Sequence, residues 1–317
     1  MAAGEESEGR GYVDAYVYLA LMVLIGSSTA TAAKLAIREL PFGLLPLVRF
    51  GGAGLCLLPM ACKGGALWRT IRESPGRLLA AAALCVPINQ SFFLTATKLA
   101  PTTHVGLIYG SVPLVVLALA VALGQERLDG NRLVGILASV SGVVVVGLGN
   151  LWAWEAEGAD ALRGDLLLIG AVVSWGAYLT VSKPLVARHG AIPALAGTFL
   201  VGTLLFLPIG LATMPGWRLQ AASATAWESL AYITLVVSIV GLGCQNAALR
   251  RLDASQVAAV GNAAPVLTVV WGVWLLGEAA RPALALGGAL TLGGIYWITR
   301  PIATPTKIEP VAQPGEP

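Results

Sequence analysis

Residues 105–142 read VGLIYGSVPLVVLALAVALGQERLDGNRLVGILASVSG, and residues 257–294 repeat their pattern as VAAVGNAAPVLTVVWGVWLLGEAARPALALGGALTLGG. The paired positions are Val105 with Val257, Pro113 with Pro265, Val121 with Val273, Leu123 with Leu275, Glu126 with Glu278, Gly135 with Gly287 and Gly142 with Gly294. Apolar matches are frequent by chance in an apolar sequence. A proline, a glutamate and two glycines in one register are not, so the chain contains an internal duplication.

The composition indicates a membrane protein. Of the 317 residues, 56% are hydrophobic and 12% are charged, and the mean hydropathy is +0.77. Soluble proteins usually carry about 25% charged residues, so a soluble single domain is excluded. The net charge of +3 and the scattered basic residues give no indication of nucleic acid as a partner.

The sequence predicts an all-α membrane fold with ten transmembrane helices. A bilayer core of about 30 Å needs about 20 apolar residues per helix. The predicted spans are 15–37, 41–61, 77–98, 102–123, 131–150, 163–183, 192–213, 226–249, 254–276 and 282–299. We expect residues 1–14 to form an N-terminal tail, 15–150 the first repeat, 163–299 the second repeat, and the proline-rich residues 300–317 a disordered tail.

Each repeat contains five predicted helices, so the second copy enters the membrane from the opposite side. We therefore expect two inverted five-helix repeats. This architecture is typical of secondary transporters, in which two similar halves surround a site near the bilayer midplane and expose it alternately to each side. A duplicated scaffold without transport activity is the alternative.

The distribution of Lys and Arg predicts the orientation. Alternation of the ten spans puts most of these residues on the side of the two termini, and the other side holds Arg38, Lys98, Arg163, Arg218 and Arg281. Basic residues accumulate in cytoplasmic loops. We expect a multi-pass protein of the cell inner (plasma) membrane with both termini in the cytoplasm.

Three pieces of the first repeat and their counterparts in the second resemble the EamA domain of the drug/metabolite transporter superfamily. The pieces are ATKLAPTT at 96–103, SVPL at 111–114 and GQERL at 124–128 followed by Gly135; the counterparts are NAAL at 246–249, AAPV at 263–266 and GE at 277–278 followed by Gly287 and Gly294. Two such domains cover nearly the whole chain. The resemblance implies an inner-membrane carrier, most often an exporter of amino acids or other small metabolites, with helices 1, 3, 4, 6, 8 and 9 around a central cavity.

The sequence carries no enzyme motif. H-E-x-x-H, G-x-S-x-G and a Walker A loop are missing, and no Asp or Glu lies deep within a predicted span. The four cysteines Cys56, Cys62, Cys85 and Cys244 lack metal-type or redox spacing. We therefore predict no catalytic residue, no metal and no cofactor. The expected partners are a small-molecule substrate and the lipid bilayer.

Uncharged polar and aromatic residues lie within the six helices that the resemblance places around the cavity. The candidate substrate-binding residues are Ser28, Asn89, Gln90, Tyr109, Trp175, Tyr178, Gln245, Asn246 and Asn262. Amides that face lipid leave donors and acceptors without partners, so these side chains should point to water, substrate or another helix. Hydrogen bonding between helices, worth about 0.6 kcal/mol per pair, is the alternative role.

Three residues are candidate charged contacts. Arg49 lies about 12 Å into its predicted span at 1.5 Å per residue, and charged groups inside a bilayer indicate function by default. It either binds a carboxylate substrate or pairs with helix-end carbonyls. Lys34 either contacts substrate or extends to the interface, and His104 either titrates near neutral pH or is a solvated helix-end residue.

Prolines and glutamates recur at equivalent places in the two repeats. Pro113 and Pro265 lie in the middle of predicted helices 4 and 9, where proline removes a backbone donor and bends the helix. We expect either hinges or static kinks there. Glu126 and Glu278 precede the next predicted helices, and we expect each to stabilise the start of that helix. The small residues shared by helices 5 and 10 predict close helix packing.

The sequence thus predicts a secondary transporter that moves small metabolites, such as amino acids or related compounds, outwards across the inner membrane by alternating access. A membrane-embedded lipid-handling protein or a non-transporting sensor on a transporter-like scaffold is the alternative. A monomer and a homodimer are both compatible with the sequence.

Overall fold

The structure, a computed structural model, describes residues 2–100, 105, 108–148, 159–214, 222–267 and 282–299. Within these ranges the chain is predominantly helical and contains no β-strand. Six of the described helices are long and apolar enough to cross a bilayer, and three shorter apolar helices accompany them. The predicted all-α membrane fold is confirmed, whereas the total of ten spans stays a prediction.

The first repeat supplies seven of the described α-helical elements. They are α1 (Ala2–Gly26), α2 (Thr29–Ile37), α3 (Leu44–Ala61), α4 (Ala66–Glu73), α5 (Pro75–Leu99), α6 (Val112–Ala122) and α7 (Gly130–Leu148). The predicted span 15–37 is interrupted between α1 and α2, where the Ser28 hydroxyl donates to the carbonyl of Ile25 over 2.8 Å. Serine hydroxyls bonded to their own turn compete with the helix, which accounts for the break.

The second repeat supplies five described α-helices. They are α8 (Ala159–His189), α9 (Ala191–Ala212), α10 (Ala224–Leu249), α11 (Ala254–Gly261) and α12 (Pro282–Thr299). Gly190 alone separates α8 from α9. Its φ of 92° lies in the region that only glycine adopts without strain, so the chain reverses there in a single residue.

Three of the long helices that the structure describes contain a π-helical segment. The segments are Leu47–Gly51 in α3, Leu84–Ile88 in α5 and Ile233–Gly241 in α10. Pro46 precedes the first segment and Pro87 lies inside the second, and the missing proline N–H removes a bond that would hold the narrower α-helical turn. π-Helical turns occur frequently at functional sites.

Helices α7 and α12, which are equivalent in the duplication, pack along a seam of small residues. A Cβ on Gly135 would lie 3.1 Å from the carbonyl oxygen of Gly294, and a Cβ on Gly142 would overlap the carbonyl oxygen of Gly287. Glycine is therefore required for this close approach. The contacts are reciprocal, as at a two-fold interface, so the two helices are antiparallel.

Two hydrogen bonds mark the axis of this local two-fold relation, because each joins residues that are equivalent in the duplication. Thr291 Oγ1 donates to the carbonyl of Ser139 over 3.4 Å, and Asn262 Nδ2 donates to the carbonyl of Gly110 over 3.0 Å. The members of both pairs are 152 residues apart. An antiparallel pairing of equivalent helices is what an inverted repeat requires.

Predicted helices 4 and 9 are both broken where they meet. The chain turns at 110–111 before α6 begins, and it turns at Asn262 after α11 ends. Pro113 therefore lies in the first turn of α6, where its missing N–H removes no internal hydrogen bond. The prediction that Pro113 lies in the middle of a continuous helix is wrong. Pro265 lies in the helical segment 263–267 that follows the other break.

Candidate functional site

Asn89 is the centre of a buried polar cluster. It directly follows the π-helical segment of α5, and its Nδ2 lies 2.9 Å from the carbonyl oxygen of Ala171, 3.2 Å from Ser174 Oγ and 3.4 Å from Tyr109 Oη. Gln90 Nε2 donates to Asn89 Oδ1 over 3.0 Å. Asn89 is only 2% exposed, so this cluster ties α5, α8 and the segment before α6 together inside the protein.

A second polar group lies one turn further along α8. The rings of Trp175 and Tyr178 pack with their centroids 5.1 Å apart, and Asn246 of α10 donates to the Tyr178 hydroxyl over 3.3 Å. Ser174 and Tyr178 are four residues apart and therefore face the same side of α8. We call the combined set the polar layer; its members are Asn89, Gln90, Tyr109, Ser174, Trp175, Tyr178 and Asn246.

Arg49 of α3 is buried near the polar layer. Its Nε donates to Ser238 Oγ over 2.9 Å, and its guanidinium carbon lies 4.8 Å from the centroid of the Phe50 ring. Its neighbour Phe50 belongs to the same buried apolar cluster as Tyr178, and Tyr109 and Trp175 pack against that cluster. Arg49 is 6% exposed, and no carboxylate in the described part of the chain forms a salt bridge with it.

Gln90 of the polar layer and Gln245, the neighbour of Asn246 in the sequence, each keep one buried atom without a partner. Within the ranges that the structure describes, Gln90 Oε1 and Gln245 Nε2 make no hydrogen bond. An unsatisfied buried polar atom destabilises a protein by about 1–3 kcal/mol. A water molecule or a polar ligand is therefore expected beside each of them.

The described contacts of Ser28 and Asn262 differ from those of the polar layer. Ser28 Oγ shares a hydrogen bond of 2.7 Å with the hydroxyl of Tyr232. Asn262 Nδ2 lies 3.0 Å from the carbonyl of Gly110 and 3.3 Å from Ser139 Oγ. Both residues thus hydrogen-bond to another segment of the chain, which was the alternative role expected from the sequence. Substrate contact by either residue stays a prediction.

Two of the three candidate charged contacts have no described side chain. His104 lies outside the described residues, and of Lys34 only its place in α2 is described. Their roles stay predictions.

A partly buried ionic network joins the two repeats at one end of the bundle. Glu126, whose side chain is fully buried, accepts hydrogen bonds from the backbone N–H of Ser255 over 3.1 Å and from the Ser255 hydroxyl. Arg132 pairs with Glu126 at 3.2 Å and with Asp253 at 2.9 Å, and Asp253 also binds Lys183. We call these five residues the ionic network.

Glu126 binds the backbone at the start of a different helix from the one that the sequence predicts. The expectation was the start of α7, but Asp129 already occupies that position and accepts a hydrogen bond from the backbone N–H of Asn131 over 3.3 Å. Glu126 instead contacts the first turn of α11, where the backbone N–H of Ser255 has no partner within its own helix. The carboxylate therefore links the first repeat to the second.

Asp253 stays ionised in the network. Burial raises the pKa of Asp253, but the hydrogen bond and charge of Lys183, together with those of Arg132, outweigh burial and leave the pKa below its ordinary value of 3.8. A lowered pKa means that the interaction stabilises the fold above the ordinary pKa and is lost only as the pH falls through the lowered value. The contacts of Asp253 with Lys183 and Arg132 are therefore kept at neutral and mildly acidic pH.

At the opposite end of α10 a second glutamate connects the repeats. Glu39, in the loop between α2 and α3, accepts hydrogen bonds from the backbone N–H of Ser223 at 2.6 Å and from the Ser223 hydroxyl at 2.8 Å. The hydrogen bond from the Ser223 backbone N–H lowers the pKa of Glu39 most, and the bond from the Ser223 hydroxyl lowers it further. Both residues are exposed. The 26 residues of α10 separate this contact from the ionic network by about 39 Å at 1.5 Å per residue.

Sequence reasoning missed the partners of the charged residues. Ser238, which binds Arg49, was visible only as an isolated serine in an apolar run. Asp253 and Gln256 form a capping box at the start of α11, and the spacing D-x-x-Q before an apolar helix is a pattern that sequence alone reveals. That Lys183 and Arg132 converge on Asp253 depends on tertiary contacts between α7, α8 and α11.

These features define a class of protein. The described chain combines long apolar helices, an antiparallel pairing of equivalent helices, two helices broken at their meeting point and a polar layer inside the bundle, as in membrane transport proteins. The chain belongs to the EamA-like transporter family, which it matches over residues 14–148 and 162–300. The resemblance read from the sequence motifs is thereby confirmed.

Several relatives are similar over most of the chain. A probable terminal-alkyne amino-acid exporter of Streptantibioticus cattleyicolor is 28% identical over 79% of this chain and 85% of its own length. A probable amino-acid metabolite efflux pump of Salmonella typhimurium is 26% identical over 87% of this chain and 91% of its own length. The uncharacterized transporter YetK of Bacillus subtilis is 24% identical over 89% of this chain and 86% of its own length.

The same fold is found among solved structures. A crystal structure with 23% sequence identity superposes with a TM-score of 0.73, covering 90% of this chain and 96% of that one. The relatives above are named as transporters, an exporter and an efflux pump, and not as enzymes. The chain is thus a multi-pass membrane protein of the drug/metabolite transporter type, with the bilayer and a small-molecule substrate as its partners.

Proposed function

We propose that the protein is a secondary transporter that exports amino acids or related small metabolites across the cell inner membrane by alternating access. The residues proposed to contact substrate are the polar layer with Gln245, joined by Ser28, Asn262, Lys34 and His104. The names of the Streptantibioticus cattleyicolor exporter and the Salmonella typhimurium efflux pump support both the substrate class and the direction.

The observation that carries this proposal is the polar layer itself. It lies between helices of both repeats, and in the described residues Gln90 and Gln245 leave one buried atom each without a partner beside it. Buried polar atoms in proteins normally have a hydrogen-bond partner. A transport site leaves them for a ligand and exchanges water for substrate during the cycle.

In the proposed transport cycle the two halves move relative to each other about the local two-fold axis. Residues 15–150 and 163–299 form the two halves, each with five of ten spans in opposite orientation, and the breaks beside Pro113 and Pro265 act as hinges. Basic residues concentrate on the side of both termini, which supports a cytoplasmic location for that side. The segments that meet in the ionic network all belong to this side by the alternation of spans, and Glu39 and Ser223 belong to the other.

Uptake into proteoliposomes tests the proposal. The purified chain is reconstituted, and saturable flux is measured for a panel of labelled amino acids, including a terminal-alkyne amino acid, and for other small metabolites. We expect saturable flux of at least one compound, and at least a tenfold loss of that flux in Asn89→Ala. Asn131→Ala, which changes an exposed asparagine on α7, is the matched control and should leave the flux unchanged. Intact protein that carries no compound at all would overturn the proposal.

A further inference from the structure

Arg49 is a buried cation whose charge is not balanced by the part of the protein that the structure describes. Its Nε is bonded to Ser238, whereas the two terminal nitrogens of the guanidinium make no hydrogen bond to a described residue. All side chains of the adjacent polar layer are uncharged. A lone charge inside a bilayer is costly, so such groups normally pair with an opposite charge or with a functional ligand.

The ring of Phe50 and the hydroxyl of Ser238 do not replace a counter-ion. A ring face beside a guanidinium contributes about 0.5–2 kcal/mol, and a neutral hydroxyl accepts a single hydrogen bond. The effective desolvation penalty of a buried ion is several kcal/mol. Ser238 and Phe50 therefore hold the Arg49 side chain in position, but they leave most of its positive charge without compensation.

The backbone around Arg49 is also specialised. Arg49 lies within the π-helical segment of α3, and its partner Ser238 lies within that of α10. Two helices thus depart from α-helical geometry where this hydrogen bond joins them.

We infer that Arg49 binds the anionic group of the transported compound, so the substrates are small molecules that carry a carboxylate or an equivalent anion. The planar guanidinium offers two parallel donors to the two carboxylate oxygens. The polar layer then binds the remainder of the molecule, with Trp175 and Tyr178 contacting its apolar part. This inference rests on the proposed transport function and assigns its substrate class.

Paired probes test the inference in the reconstituted full-length protein. Each transported amino acid is compared with its carboxamide, which keeps the ammonium group and the side chain but lacks the carboxylate. We expect the wild type to show an apparent affinity for the acid at least tenfold higher than for the amide. Arg49→Gln should reduce this preference to less than twofold, and Arg49→Lys should leave an intermediate preference because lysine keeps the charge without the planar pair of donors.

Two further variants guard against loss of fold and against a general charge effect. Ser238→Ala removes the bond that orients Arg49 and should lower the preference for the acid without abolishing transport of the amide. Arg38→Gln removes an exposed arginine beyond α2 and should leave the preference unchanged.

The outcomes separate the two hypotheses. Equal affinity of the wild type for acid and amide, or an unaltered preference in Arg49→Gln or Ser238→Ala, would overturn the role of Arg49 while transport itself stands. Absence of saturable flux for every compound in the wild type would overturn the transport function, and this inference with it.

Discussion

The same kind of glutamate–serine contact joins the two repeats at each end of the bundle, but the surroundings of the two contacts differ. At each end a glutamate of the first repeat accepts hydrogen bonds from the backbone N–H and the hydroxyl of one serine near the start of a second-repeat helix. Glu126 binds Ser255 in this manner and Glu39 binds Ser223. The Glu126 side chain is fully buried and also pairs with Arg132, whereas Glu39 and Ser223 are both exposed.

Burial determines how strongly each contact holds. An exposed carboxylate that leaves its donors is solvated at once, so little free energy separates the bonded and separated states. When the buried Glu126 carboxylate leaves its donors, its hydrogen bonds are lost in a low-dielectric environment. Ser255 and Arg132 are then left without their acceptor. The end with the ionic network should therefore open at the larger free-energy cost, which predicts an asymmetric cycle if the two ends open in turn.

The largest effect is expected from Glu126→Ala. Removing one partner of a buried, hydrogen-bonded charge pair typically destabilises a protein by about 3 kcal/mol or more. We expect a clear drop in the midpoint of thermal unfolding in detergent, measured by intrinsic fluorescence. Glu126→Gln should lose less, since an amide oxygen still accepts a hydrogen bond from the Ser255 N–H.

A role in closing this end has its own readout. Cys244 lies near the end of α10 that approaches the ionic network and is 9% exposed. In Glu126→Ala, alkylation of Cys244 by a membrane-impermeant maleimide should become faster well below the unfolding temperature, as quantified for that site by mass spectrometry. Glu228→Ala removes an exposed glutamate of α10 and is the control. An unchanged labelling rate, with only the midpoint lowered, would show that Glu126 stabilises the fold without controlling access.

A smaller effect is expected from Asp253→Asn. Asparagine is also a good helix N-cap, so this change removes the charge that binds Lys183 and Arg132 while the start of α11 is kept. Both Asp253 and Lys183 are partly exposed, and we expect a coupling energy of about 1 kcal/mol between them in a double-mutant cycle with Lys183→Met.

The exposed pair Asp160 and Arg163 provides the reference for that cycle. These side chains are both 73% exposed and lie three residues apart on α8. The cycle of Asp160→Asn with Arg163→Met should give a coupling energy near zero. Equal coupling energies in the two cycles would contradict the view that burial distinguishes the ionic network.

Much of the fold could be predicted from the sequence because it depends on local pattern. The long apolar runs predicted the helices, and the recurrence of Gly135 and Gly142 as Gly287 and Gly294 predicted the close packing seen between α7 and α12. The break beside Pro113 could not be predicted in the same manner. A proline indicates a bend or a helix start equally well, and only the turn at 110–111 decides between them.

The candidate site was predictable as a set of residues but not as a geometry. Polar side chains in apolar helices identified Asn89, Tyr109 and Asn246 as residues that need partners. Which partner each one has depends on the rotation of every helix, and the π-helical segments of α3, α5 and α10 alter that rotation without a clear sequence pattern. For this reason the pairing of Arg49 with Ser238 became visible only in the structure.

The smallest effect is expected from Glu39→Gln. The substituted amide would still offer one acceptor to Ser223, and water can take the place of the lost bond because both positions are exposed. The unfolding midpoint should match that of Glu228→Ala within error, and saturable flux should change less than twofold. A destabilisation as large as that of Glu126→Ala would mean that solvent does not compete at this end. The asymmetry between the two ends would then have to come from the helices themselves rather than from the burial of one carboxylate.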